Sequence, residues 1–158
     1  MKAVPGRETV GVIQSRLAAG ENTFMILLWL AALVVVADRV TKYLVVTNMA
    51  EGQSIPLVDG IFHLTYIRNP GAAFGMMAHS RTLFLAVGAA VVVAVLYFRR
   101  AILAEGLCIR IGTSLFLGGA LGNLWDRVQT GLVVDFLDFR IWPVFNVADI
   151  AICVGVAL

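Results

Sequence analysis

A chain of 158 residues that is 60% hydrophobic and only 14% charged predicts a single domain and excludes an ordinary soluble one. A soluble domain carries about 25% charged residues and could not bury so much apolar side chain. The net charge of +2 comes from scattered Lys and Arg, which excludes a nucleic-acid interface built on a basic face with stacking aromatics.

The first 23 residues are polar and mixed. No cleavable signal peptide is expected, because the first apolar run is followed by others and reads as an anchor. That run extends from Phe24 to Ala37 and predicts a helix continuing through Val46. Three more apolar runs follow: Leu83 to Phe98, then Leu107 to Asp126 (uncharged from Ile111 to Trp125), and finally Ile150 to Leu158. All are apolar around the whole helix, as in helices buried in lipid or protein. The last is shorter than the roughly 20 residues that a span needs, so the fourth helix reads as truncated or incomplete. Within the third run, Gly118 and Gly122 form a small-x-x-x-small pair that permits close helix approach. Cys108 and Cys153 lie in apolar stretches outside any C-x-x-C pair, so no disulfide framework and no metal site is expected.

Between the first two runs, SIPLVDGIFHLTYI (Ser54 to Ile67) surrounds an Asp59-Gly60 turn signal with strand-forming residues and predicts a short hairpin or small sheet on the membrane surface. Leu132 to Ile141 has the same strand character. Basic residues set the orientation. Lys2, Arg7 and Arg16 in the tail (residues 1–22) and Arg99, Arg100 and Arg110 between the second and third runs read as cytoplasmic. The connections holding Arg39, Lys42, Arg68 and Arg81, and Arg127 and Arg140, then face outward.

Asp38, Asp126, Asp135, Asp138 and Asp149 all fall at or just beyond the outward ends of apolar runs. Carboxylates at membrane depth are costly, which makes them candidate functional groups, although any one alone could mark the headgroup boundary. His63 and His79 belong to no H-E-x-x-H pair, and Ser54, Ser80 and Ser114 have no G-x-S-x-G context, so zinc and serine chemistry fit poorly. Acid–base chemistry by two carboxylates remains. Like charges keep one of such a pair protonated, to polarise a carbonyl while the other activates water. No metal or cofactor is needed. Pattern alone does not choose the pair, since Asp126 is as good a candidate as Asp135 or Asp149. The alternative is a small transporter subunit using these carboxylates as an ion or proton site.

Five motifs occur in order along nearly the whole chain: DRVTK (Asp38 to Lys42), NPGAAF (Asn69 to Phe74), GGALGNLWDR (Gly118 to Arg127), VVDF (Val133 to Phe136) and FNVAD (Phe145 to Asp149). In this the chain resembles the lipoprotein signal peptidase (signal peptidase II) family. The resemblance implies an all-α membrane protein of four transmembrane helices with a small periplasmic β-cradle and an amphipathic helix. It implies an aspartic endopeptidase at the outer face of the bacterial inner membrane, cutting prolipoproteins before a diacylglyceryl-modified cysteine while the acyl chains stay in lipid. Globomycin is the expected inhibitor. The implied catalytic pair is Asp135 and Asp149, with Asp38, Lys42 and Asp126 in support. Asn69, Asn123, Arg127 and Asn146 are expected to line the site, Asn69 and Arg127 touching substrate main chain. Capping or interhelical hydrogen bonding accounts for Asn123 and Asn146 equally well. Pro70-Gly71 is expected to turn the chain beside the bound peptide, with Phe74 as packing. Two departures stand out: Arg39, where the family often has Gln and where an outward-facing, tolerant position is expected, and the short link between Asp135 and Asp149.

Overall fold

The computed structural model describes residues 5–71 and 81–158, with side chains from Gly20 onward except Glu21. Phe74, His79 and Ser80 lie outside the described residues. The order is α1 (Pro5–Asn48), β1 (Ser54–Val58), β2 (Phe62–Asn69), α2 (Arg81–Tyr97), α3 (Arg99–Ala104), α4 (Leu107–Gln129), β3 (Val133–Asp138) and α5 (Val147–Ala157). The four apolar runs all become helices. The first begins at Pro5, well before the apolar run. Among the described residues, two helices are long and apolar enough to cross a membrane: Asn22–Asn48, 27 residues, and Leu107–Gln129, 23 residues. At 1.5 Å per residue these are about 40 and 35 Å long. α2 and α5 are shorter apolar helices of 17 and 11 residues.

α4 is the central helix, and its glycines set how closely its neighbours approach. A β-carbon on Gly118 would come within 2.7 Å of the Ala31 carbonyl oxygen and of the Val34 side chain in α1. One on Gly119 would collide with the Ala148 carbonyl of α5, and one on Gly112 would come within 2.7 Å of the Gly155 carbonyl oxygen in α5. The Gly118/Gly122 pair therefore packs α1 as its spacing predicts, while Gly112 and Gly119 serve a second helix.

The predicted hairpin forms around Asp59-Gly60. The Ile61 N–H bonds the Val58 carbonyl at 3.0 Å, and Gly60 holds φ +69°, the turn position that demands a left-handed residue. β1, β2 and β3 make one antiparallel sheet in that order, with a bulge between Leu64 and Ile67. Pro56 is confined to the edge strand, where its missing donor is harmless. Tyr66 and Phe136 bury against Val45 near the end of α1 and seat the sheet on the bundle. At the other end of α4, Gly131 (φ +80°) returns its N–H to the Arg127 carbonyl at 3.1 Å. That left-handed cap turns the chain directly into β3.

Candidate active site

Five elements bring Asp38, Lys42, Asn69, Asn123, Asp126, Arg127, Asp135, Asn146 and Asp149 together at one end of the bundle. The base of the site is a buried ion cluster. Lys42 Nζ lies 2.9 Å from Asp38 Oδ2 and 2.8 Å from Asp126 Oδ2, and donates to Asn123 Oδ1 at 2.9 Å. Asp38 and Lys42, one helical turn apart, are wholly buried. Asp38 Oδ1 accepts the Ala148 N–H at 3.1 Å, which ties α1 to the first turn of α5. Asp126 Oδ1 is bound by the Arg39 guanidinium, and Oδ2 also accepts the Val134 N–H at 3.3 Å. Two carboxylates thus face two cations, the pairing that makes buried charge tolerable. Arg39 corrects the expectation of an outward-facing side chain: its head folds in to Asp126, one of two carboxylates sharing Lys42.

Above this base sit the two aspartates. Asp135 is nearly buried in β3. Its Oδ2 accepts from Asn69 Nδ2 at 2.9 Å and its Oδ1 from Asn146 Nδ2 at 2.6 Å. Asp149 opens α5. Its Oδ1 accepts from Asn123 Nδ2 at 2.7 Å and its Oδ2 from the Asn146 N–H at 3.2 Å. Asn146 Oδ1 in turn accepts the Asp149 N–H at 2.9 Å, completing a reciprocal capping box. Asn146 therefore holds both aspartates, one by its side chain and the other by its backbone. Its amide also reaches Asn123 Oδ1 at 3.1 Å.

Both aspartates face one cavity of about 450 Å³. Its polar side carries Asn69, Asn123 and Arg127, and its apolar side is formed by α2, α4, α5 and the β3–α5 connection. Burial pushes the Asp135 carboxyl up to about 7, against an ordinary 3.8, and the Asp149 charge pushes the same way. The Asn69 and Asn146 bonds and the Lys42 charge oppose this. Arg127 donates to the Gly71 carbonyl at 3.2 Å and lies 4.3 Å over the Phe84 ring. It joins the chain after β2 to α2 and α4 at the cavity edge.

Of the remaining candidates, Asp138 stands apart. Burial would raise its carboxyl, but bonds from Thr65 and Arg140 outweigh that and hold it below the usual range. Ser54 and His63 do meet, at 3.0 Å, but on the sheet and outside the cavity. Ser114 bonds the Arg110 carbonyl within its own helix. Two parts of the site were missed in the sequence, the Arg39 counter-ion and the Val134 N–H on Asp126. Capping by Asn146 and interhelical bonding by Asn123 were both read there, and the structure shows both, the cap being a reciprocal box with Asp149.

With that geometry in view, likeness to known proteins is informative. Residues 30–158 match the family model described as signal peptidase (SPase) II. The lipoprotein signal peptidase of Pelotomaculum thermopropionicum is 50% identical over 136 residues, covering 85% of this chain and 88% of that protein. That of Moorella thermoacetica is 47% identical over 131 residues, covering 83% and 87%. Two bacterial membrane enzyme structures determined by the in meso method superpose with TM-scores of 0.77 and 0.73. Each is 36% identical over 84% of this chain, spanning 83% and 88% of the solved chains. The chain belongs to the signal peptidase II family.

Proposed function

We propose that the protein is an aspartic endopeptidase that removes signal peptides from prolipoproteins carrying a diacylglyceryl-modified cysteine, with Asp135 and Asp149 as its catalytic pair. The observation that carries this reading is the single cavity onto which both carboxylates open, bridged by Asn146. Asp135, raised to about 7 by burial, is the member suited to hold a proton.

In the proposed mechanism, water enters between the pair. Asp149 takes its proton as the water oxygen attacks the scissile carbonyl carbon, and Asp135 gives its proton to the carbonyl oxygen. The tetrahedral diol then collapses. The carbon–nitrogen bond breaks, Asp149 returns its proton to the leaving amine, and Asp135 recovers one from the diol. Asn69 and Arg127 are the donors placed to align the peptide main chain, and the apolar wall takes the signal segment while the acyl chains remain in lipid. Lys42, Asp38 and Asp126 support the floor beneath.

We also read α2 as a span and α5 as part of a fourth, alongside α1 and α4, in the inner membrane, with the sheet and the pair on the outer face and residues 1–22 as a cytoplasmic tail. Arg99, Arg100 and Arg110 at the opposite end support that orientation.

The test is a gel-shift cleavage assay on a diacylglyceryl-modified prolipoprotein. Cleavage should occur, stop with globomycin, and be lost in Asp135→Asn and Asp149→Asn proteins that remain folded. Parental rates in both variants would remove the pair from the mechanism, and absence of cleavage by the folded parent would remove the activity.

A further inference from the structure

Asp138 is a buried carboxylate for which the catalytic scheme has no use. It ends β3, where the chain begins its return to α5. Leu137 and Phe145 close the base of that return by exchanging backbone bonds. The Leu137 N–H donates to the Phe145 carbonyl at 2.8 Å, and the Phe145 N–H to the Leu137 carbonyl at 3.0 Å. The chain thus leaves the sheet at Asp138 and rejoins it one residue before Asn146, which grips both aspartates. The second half of the return, Trp142, Pro143, Val144 and Phe145, lines the cavity.

Asp138 sets the shape of this segment. Its Oδ1 accepts the Arg140 N–H and its Oδ2 the Arg140 guanidinium, each at 2.8 Å. Arg140 is thereby held at φ 65°, a left-handed conformation uncommon for a residue with a β-carbon. Such a conformation persists where its neighbours over-determine it. Asp138 is itself braced from the sheet. Thr65 Oγ1 of β2 donates to Oδ2 at 2.7 Å, and Ser54 Oγ of β1 lies 2.8 Å from Thr65 Oγ1. Packing fastens the return only at its ends, where the Phe139 ring meets Phe62 at 4.8 Å and Phe145 at 5.9 Å. Arg140, Ile141 and Trp142 are exposed, Ile141 by 94%. The bonds from Asp138 therefore direct the chain between Phe139 and the cavity wall.

We propose that Asp138 is a positioning residue for substrate binding: acting through Arg140, it holds residues 142–145 as a preformed wall, and so sets how tightly the peptide is bound rather than how fast it is cut. Among the described residues that line the cavity, Asp138 is absent, so its effect is carried by the return. A wall formed in advance spares the peptide the cost of ordering it. Once released, Arg140 disfavours the left-handed region on the order of tenfold, and affinity falls with the fraction of molecules whose wall is formed. The identity of the ligand rests on the peptidase reading, whereas the latch does not.

The test uses the full chain with Trp29→Phe and Trp125→Phe, which leaves Trp142 as its reporter. In detergent, the fluorescence anisotropy of Trp142 should fall in Asp138→Ala. It should also fall in Arg140→Pro, which cannot take a positive φ and leaves Asp138 intact. Asp138→Ala combined with Arg140→Gly should regain it, because glycine holds a left-handed φ unaided. With a diacylglyceryl-modified prolipoprotein, the first two variants should raise KM on the order of tenfold with kcat little changed, and the glycine combination should recover most of the loss. Parental anisotropy and KM in both Asp138→Ala and Arg140→Pro would overturn the proposal. So would a defect in Asp138→Ala that glycine fails to restore, or a fall in kcat at parental KM. If the alanine protein does not fold, Arg140→Pro, at an exposed position, decides alone. A parent chain that cleaves nothing would count against the peptidase reading, and the anisotropy would still decide the latch.

Discussion

In the proposed mechanism Asp135 couples chemistry to stability through one proton. Its carboxyl titrates near 7 in the folded protein and near 3.8 in the unfolded chain. Between those values the folded state binds more protons, so stability falls as pH rises from about 4 to about 7, and the loss is complete above 7. Asp135→Asn removes the ionisable group. Its unfolding free energy relative to the parent should therefore be higher at pH 8 than at pH 5, by on the order of 1–3 kcal/mol, in the same variant that is expected to lose cleavage. An equal offset at both pH values would argue against a buried, proton-holding Asp135. The rate has its own signature. If Asp135 donates a proton, kcat/KM of the parent should decline on the alkaline side with a midpoint near 7, since kcat/KM reports groups of the free enzyme. Lys42 makes the opposite kind of prediction. Lys42→Met leaves Asp38 and Asp126 facing each other with Arg39 as their remaining counter-ion, a loss of about 3–5 kcal/mol. That would appear as failure to recover folded protein from the membrane rather than as slow turnover.

At the scale of elements, α5 depends on the residue that also serves the site. Asn146→Ala removes the helix cap, at a cost of about 1 kcal/mol, and releases Asp135 Oδ1. The cleavage rate should fall on the order of 100-fold, the usual effect of displacing a catalytic group by about 1 Å, with a much smaller change in thermal midpoint. A midpoint loss with unchanged rate would assign Asn146 to capping alone. Gly119→Ala should be worse than Gly106→Ala, because the first collides with the α5 backbone and the second meets open space. Much of this level was legible beforehand. The helices follow the apolar runs, Asp59-Gly60 announced the hairpin, and the Gly118/Gly122 spacing announced the approach of α1. What was not legible depends on rotation and distance. Periodicity has no phase in a helix that is apolar all round, so nothing in the sequence said that Arg39 turns toward Asp126. Nor could pattern separate Asp126 from Asp135: both follow apolar residues, and only the fold puts one on Lys42 and the other on the cavity. Resemblance, not spacing, selected Asp135 and Asp149.

At the scale of the whole molecule, the site is assembled from α1, β2, α4, β3 and α5, so occupying it should brace the entire fold. Globomycin at a hundred times its dissociation constant should add about 2.7 kcal/mol, read as a raised thermal midpoint in detergent. Asn69→Ala, which removes a donor at the cavity edge, should reduce that increment. An unchanged midpoint under saturating inhibitor would mean that the compound acts elsewhere.

The sharing of polar residues between site and scaffold narrows the routes by which the protein can evolve away from an inhibitor. Asn146 caps a helix, Asn123 receives the buried lysine, and Arg127 fastens the chain after β2. A substitution that loosens the grip of a drug on any of them also loosens the protein. Selection under a drug directed at the aspartates should therefore enrich changes in the greasy half of the cavity, at Val87, Val91, Phe116 or Ile152, where volume can shift by a methyl group without breaking a fastening.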